Sequence, residues 1–390
     1  LIAVTGTNGK TTTCRMTRFI LEQADYTPGL ACSEGAFTTG KKTISTGDVS
    51  GISGAYPLLA DPEIDCAVLE TARGGILKHG FPFDHCDVAV CLNVTADHLN
   101  ECGIDTLEQM AAVKRSILML SNDAVVLNAD DPLCLGMLPL PNAERICLVS
   151  TERSIQDLRT LPSAGDCFAL VEQEDGTDHV VFYDGGHRLP IAPVRDIPAT
   201  FGGRARYNLS NAMHACAACY LAKVDSGALK RGLERFEMNY ENTPGRLNFR
   251  TDLPFSVLLD YAHNPDGISR ICSFIDQLNV EGRKIVALSA AGYNPIDIIR
   301  GNAAALAGHF DSYICYNFGR NIKMQWDHVP GALRETLLSC GVAESNVSVT
   351  GSGLDAIETM LNQAAEGDLV VMLSGHSDRQ EIWQRISTFE

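Results

Sequence analysis

The first twenty residues, 1-LIAVTGTNGKTTTCRMTRFI-20, decide the fold. The apolar run from Leu1 to Val4 reads as a buried strand, a Gly-rich loop follows, and Met16, Phe19 and Ile20 mark the apolar stripe of a helix. Strand, glycine loop and helix N-terminus in that order make an anion cradle. Backbone N–H groups from Gly6 through Thr7 and Asn8 to Gly9 are predicted to wrap a phosphate. Glycine permits the close approach, and the helix N-terminus adds partial positive charge. In this reading Lys10 reaches the β- and γ-phosphates, Thr11 offers its hydroxyl to Mg2+, and Thr12 carries the loop into the helix. The spacing GxxxxGK[ST] is not met, because Val4 stands where its first glycine belongs.

Outward from this loop, short apolar runs alternate with helical patterns. Strands are expected at 1–4, 64–70, 87–94, 123–128 and 145–149, and helices at 11–24, 51–60, 106–120 and 208–223, the pattern of βαβ units and a mainly parallel sheet. Between about 160 and 200 the pattern shifts to short β-like pieces with Gly/Asp turns, which predicts a small antiparallel insertion. The polar, Pro- and Gly-containing segment NYENTPGR (239–246) is the natural boundary. After it the alternation restarts through FSVLLDYAH, KIVALSA, DSYICYN, VSVT and DLVVMLS. The expected fold is α/β: a P-loop mononucleotide-binding parallel-sheet domain with a β insertion (1–242), then a smaller Rossmann-like α/β domain (243–390).

The 390 residues are 45% apolar and 20% charged, an ordinary globular composition. A net charge of −17 argues against a nucleic-acid backbone as partner and mildly favours a cationic amine over a polyanion. No apolar run approaches the ~20 residues that span a bilayer, and the opening residues read as a buried strand rather than as the basic-plus-apolar pattern of a secretory leader. Most of the 14 cysteines lie in apolar strands or helices, where a reduced thiol serves as a small hydrophobe. Cys216 and Cys219 form a CxxC without a second pair at zinc spacing. The expectation is a cytoplasmic protein with reduced thiols.

Three sites can be read from pattern alone. Glu70 ends the apolar run DCAVLE, on the side where α/β sheets place ligands. Leu107, Met110, Ala111, Ile117 and Leu118 lie on one helical stripe whose missing position is Lys114, a lysine that either snorkels outward or does chemistry. Tyr207-Asn208-Leu209-Ser210-Asn211 opens a helix rich in small residues, where Asn208 suits an N-cap.

The shortened loop TGTNGKT resembles that of the Mur ligase family, which includes the peptidoglycan peptide ligases and folylpolyglutamate synthetase. VLETARGGIL (68–77) narrows the likeness to the Mur-type module of cyanophycin synthetase, and the likeness continues through NADDP (128–132), TPGRLN (243–248) and DYAHNP (260–265). The resemblance implies an ATP-dependent amide-bond ligase. Glu70 and His98, in TADHL, match the family's metal ligands, and Lys114 matches a lysine that is carbamoylated in related enzymes. Asn208 and Asn211 match adenine contacts, Arg246 an arginine between the domains, and Asp260 a ribose contact. His263 and Asn264 follow on the same loop and either orient substrates or cap the next helix.

The implied partners are ATP, Mg2+ (one or two ions), a carboxylate-bearing peptide or amino acid, and an amine. In the subgroup the acid is an aspartate side chain on a peptide and the amine is arginine or similar. A homo-oligomer and a fusion to an upstream domain both remain open. The chain departs from its relatives where SAAGYNPIDI (289–298) replaces a Gly-Asp-Arg loop, and where 318–333 keeps Gly319-Arg320 but lacks a downstream Gly-Glu. The rival readings are a P-loop NTPase and a nucleotide-binding module without turnover.

Overall fold

A computed structural model describes residues 1–390 except 39–42, 98, 100, 162–164, 166, 293, 318–327 and 376–377. The chain divides into two compact units, Leu1–Glu237 and Met238–Glu390.

In the first unit the strands are β1 (Ile2–Thr5), β2 (Pro28–Cys32), β3 (Gly35–Phe37), β4 (Thr43–Thr46), β5 (Cys66–Glu70), β6 (Cys86–Cys91), β7 (Ser121–Asn128), β8 (Arg145–Ser150), β9 (Cys167–Glu174), β10 (Thr177–Asp184) and β11 (His187–Pro193). Its helices are α1 (Lys10–Glu22), α2 (Ile52–Leu59), α3 (Arg73–His79), α4 (Leu107–Leu118), α5 (Pro132–Leu135), α6 (Ile155–Arg159), α7 (Arg206–Leu221) and α8 (Ser226–Arg235). The eleven strands form one sheet in the order β11-β10-β9-β8-β7-β6-β1-β5-β2-β3-β4. From β9 to β2 every pairing is parallel. The outer pairs are antiparallel, β9-β10-β11 at one edge and β2-β3-β4 at the other.

The β insertion is therefore no separate layer. Its strands extend the main sheet, because Cys167 to Leu170 pair in parallel with Cys147 to Ser150 and only then does the chain turn back on itself. The hairpin β2-β3-β4 and helix α8 escape the sequence pattern: the strands are short, and α8 follows α7 after a break of only four residues.

Helix α7 is buried nearly all round, from Asn208 and Leu209 through the run Asn211–Cys219 to Leu221. Small residues (Ala212, Ala215, Ala217, Ala218) let it lie close against α1 and the sheet. Both CxxC thiols, Cys216 and Cys219, are enclosed there, and Cys219 points at the Thr17 carbonyl of α1. The thiol of Cys216 is pushed up by desolvation alone, the behaviour of a packing residue.

The second unit carries β12 (Asn248–Arg250), β13 (Ser256–Asp260), β14 (Lys284–Leu288), β15 (Ser312–Tyr316), β16 (Val347–Thr350) and β17 (Leu369–Leu373) in the order β12-β13-β17-β14-β15-β16. All pairs are parallel except β12 with β13. Helices α9 (Pro265–Ile275), α10 (Ile296–Leu306), α11 (His328–Ser339) and α12 (Gly353–Gln363) connect the strands, and α13 (Arg379–Ser387) follows β17. Its core joins Val257, Leu259, Ile285, Ile314, Val370 and Met372 to Ile357, Met360 and Ile382. Among the described residues no helix is long and apolar enough to cross a membrane.

Candidate active site

Strand β1 is the point where the sheet order reverses, with β5 on one side and β6 on the other. In open α/β sheets the crevice beyond the strand ends at such a point receives ligands. Register brings three functional segments there: Val4 pairs with Glu70, and Thr5 with Cys91. The loop Gly6–Gly9, the carboxylate of Glu70 and the segment after Cys91 thus share one edge.

The loop needs glycine at both ends. Gly6 has φ +155° and a Cβ there would meet the Leu92 Cβ at 2.9 Å; Gly9 has φ +88° and a Cβ there would run into the Asn211 side-chain oxygen. Gly9 is also the N-cap residue of α1, and no side chain caps it. The Lys10 ammonium folds back onto the Thr7 carbonyl at 2.9 Å. Thr12, the last loop residue, is buried in the first turn.

Thr11 donates its hydroxyl to Glu70 Oε2 at 2.8 Å and lies 3.0 Å from the Ser33 hydroxyl, while the Ser33 backbone N–H donates to the same Glu70 oxygen at 3.0 Å. Ser33, just past β2, is a member the sequence pattern gives no reason to pick. Only the parallel pairing of β2 with β5 brings it beside Glu70. Two hydroxyls and a buried carboxylate are hard oxygen donors, the set a magnesium ion prefers, so the residues present fit that ion. Among the described residues no group of three or more His, Cys, Asp or Glu side chains forms a metal cage. His98 lies outside the described residues.

Lys114 sits two turns into α4, whose start is set by a capping box between Thr106 and Gln109. Its side chain is 3% exposed, so it does not snorkel. Desolvation first and the neighbouring Lys10 second push its ammonium down to about 8, with Cys91, Asp97 and Cys134 pulling the other way. About a tenth of this amine is therefore neutral at pH 7, far more than in an exposed lysine, and the neutral form is the nucleophile. The thiols of Cys91 and Cys134 lie 3.6 Å apart beside it.

Asn208 is not an N-cap. Helix α7 starts at Arg206, with Ala205 at the cap and no capping side chain. Asn208 lies inside the first turn, where its amide donates to the Ala199 carbonyl at 3.1 Å and accepts from Asn211 Nδ2 at 3.2 Å. Both asparagines are buried, and Asn211 packs on Gly9.

In the second unit Asp260 closes β13 and accepts from the backbone N–H groups of Leu247 and Ala262, each at 2.8 Å. Burial pushes its carboxyl up from the ordinary range against the pull of those bonds and of Arg246. The Arg246 guanidinium lies over the Tyr261 ring, 5.0 Å from its centre. Asn264 caps α9 through Gly267 N–H at 2.8 Å, and the Asn302 amide donates to the His263 carbonyl at 2.9 Å. Of the divergent loops, Tyr293 and residues 318–327 fall outside the described residues, as do His376 and Ser377.

The profile of the Mur ligase middle domain matches residues 4–219, and that of the Mur ligase glutamate ligase domain matches residues 245–376. The chain belongs to the Mur ligase family. It is 36% identical over 294 residues to cyanophycin synthetase of Synechocystis, a match covering 75% of this chain and 33% of that protein. With the cyanophycin synthetase of Geminocystis herdmanii it shares 34% over 385 residues, covering 95% of this chain and 42% of the relative. The chain thus spans well under half the length of these curated relatives. Folylpolyglutamate synthase of Mycobacterium tuberculosis, solved with ADP and AMPPCP, shares the fold at 18% identity and a TM-score of 0.73, covering 100% of this chain and 91% of that one.

Proposed function

We propose that this Mur ligase family member is an ATP-dependent, ADP-forming carboxylate–amine ligase working through an acyl phosphate. The observation that carries the reading is the convergence of Lys10, the Thr11 and Ser33 hydroxyls and the Glu70 carboxylate at the reversal point of the sheet. In the proposed mechanism the backbone of Gly6–Gly9 and the Lys10 ammonium bind the nucleotide's phosphates, and a substrate carboxylate attacks the γ-phosphorus. The amine then displaces phosphate from the acyl phosphate and forms the amide. Thr11, Glu70 and Ser33, with His98 as a further ligand, would hold magnesium, which would supply charge neutralisation on the phosphates. Arg246 adds a cation against charge that develops in the transition state. Asn208 and Asn211 are assigned to the adenine and Asp260 to the ribose. Lys114, neutral enough to take up CO2, is assigned a carbamate.

The match to cyanophycin synthetases, over 95% of this chain in one case, supports arginine or a similar amino acid as the amine and an aspartate side chain on a peptide as the acid. Residues 1–242 would then act as the nucleotide-binding domain and 243–390 as the C-terminal ligase domain.

The test is turnover of the full chain with MgATP and a panel of acid–amine pairs, read as phosphate release and product mass. Amide product with stoichiometric phosphate is expected, and Lys10→Ala should lose both nucleotide affinity and product. Phosphate release indifferent to the amine would mean an NTPase instead, and tight ATP binding without turnover a binding module.

A further inference from the structure

The Asn128-Ala129-Asp130-Asp131 motif at the end of β7 touches none of the chemistry above, yet it grips the segment that touches the phosphate loop. Residues 92–95 run past the loop in alternation. On one side Asn93 accepts through Oδ1 from the Thr7 and Asn8 N–H groups at 3.1 and 2.8 Å and donates through Nδ2 to the Asn8 carbonyl at 3.0 Å. Its own carbonyl takes a further bond from Thr7 N–H at 3.0 Å, and Thr95 N–H donates to the Thr7 hydroxyl at 3.0 Å. On the other side Asn128 Nδ2 donates to the Leu92 carbonyl at 2.7 Å, and Asp131 Oδ2 accepts from Val94 N–H at 2.7 Å. The second Asp131 oxygen caps α5 through the Leu133 and Cys134 N–H groups at 2.8 and 3.0 Å.

We propose that Asn93 is a positioning residue for the nucleotide, setting the shape of the phosphate loop before ATP arrives, and that Asn128 and Asp131 hold Asn93 in place from the far side of residues 92–95. The inference deepens, and rests on, the reading of residues 5–12 as the phosphate loop. A loop bounded by two glycines at positive φ has wide freedom as a free chain, and ordering it at the moment of binding would weaken affinity. Asn93 mimics a neighbouring strand, meeting two N–H donors and one carbonyl with a single side chain, so that the ordering cost falls on folding. Asp131 couples the arrangement to α5, and Asn128 couples it to the end of β7. Preorganised backbone donors are worth most when they need not move as the ligand enters.

Three isosteric changes each target one bond of this arrangement. The two Asn→Asp changes also add a negative charge near the loop, whereas Asp131→Asn removes one, so weaker binding in Asp131→Asn cannot come from charge repulsion. Asn93→Asp loses the donor to the Asn8 carbonyl but keeps an acceptor for Thr7 and Asn8. Asn128→Asp loses the donor to Leu92. Asp131→Asn turns an amide nitrogen on Val94 N–H while its carbonyl still caps α5. The measurement is the Kd for MgADP by calorimetry on the full chain, beside Lys10→Ala, with Tm and the KM values for acid and amine. The expected result is a rise in Kd of about tenfold for each variant, the size of one buried hydrogen bond lost. The KM values of acid and amine should stay near those of the parent chain. A purely structural role would lower Tm and leave Kd untouched, and that outcome overturns the proposal. Should Asn93→Asp fail to fold, Asp131→Asn reads the same coupling with the helix cap intact. If Lys10→Ala weakens MgADP while Asn93→Asp and Asp131→Asn bind it like the parent chain, the positioning role alone is wrong. If Lys10→Ala binds it unchanged, the loop itself has been misread and this inference falls with it.

Discussion

At the scale of single residues, Lys114 shows what burying a lysine does to stability and its pH dependence. Its ammonium is pushed down to about 8 from an ordinary lysine value near 10.5. The folded state therefore binds fewer protons than the unfolded one between those values, and this residue's contribution makes stability rise with pH across that window. Below pH 8 the buried charge costs on the order of 3 kcal/mol. Replacing Lys114 with methionine is expected to raise Tm at pH 7, flatten the rise between pH 8 and 10.5, and cut ligation at least tenfold. Thermal melts at several pH values, paired with product assays, check all three; an active Lys114→Met would remove the lysine from the chemistry. Lys114 was legible because it breaks a helical stripe. Ser33 and Asn93 were not, because nothing in a local window marks a serine or asparagine just past a strand. Their partners lie 37 and 85 residues away along the chain.

At the scale of elements, α7 concentrates what the fold needs near the loop. It carries Asn208 and Asn211, and one turn further His214, which is fully buried. His214 Nδ1 lies 2.7 Å from the Ser210 carbonyl oxygen, so that nitrogen holds the proton, and Nε2 has no partner among the described residues. Desolvation pushes the imidazole down to about 4, against smaller upward pulls from Ser210 and Asp130. An unfolded histidine titrates near 6.5, so the unfolded state takes up this proton first as pH falls. Stability due to His214 is present above about 6.5 and is lost toward 4, on the order of 3 kcal/mol. Denaturant melts from pH 7 to 4.5 should show that decline, and His214→Leu should reduce its slope whatever its effect on stability at pH 7. An unchanged slope would mean that the imidazole is protonated in the folded chain. The sequence placed α7 to within two residues at each end. Whether Asn208 capped it depended on where the preceding turns, Val194–Asp196 and Pro198–Thr200, delivered the chain.

At the scale of the whole molecule, charge and topology act. With a net charge of −17, the protein's field attracts cations and repels anions, and salt screens it over about 8 Å at physiological ionic strength. If the amine is cationic, its KM should rise severalfold between low salt and 0.3 M salt, while that of a neutral amino acid stays nearly flat; equal responses would deny the field a role in amine capture. The residues by themselves determined the α/β class, the strand–glycine loop–helix order of residues 2–22, the family and most element positions, since periodicity, glycine placement and helix starts are properties of a few adjacent residues. Tertiary structure alone decided that the insertion joins the main sheet and that β1 lies between β5 and β6. It also decided that Ser33, Glu70 and Asn93 meet at the loop, because strand order and register depend on pairings between segments far apart in the chain, which no short stretch encodes.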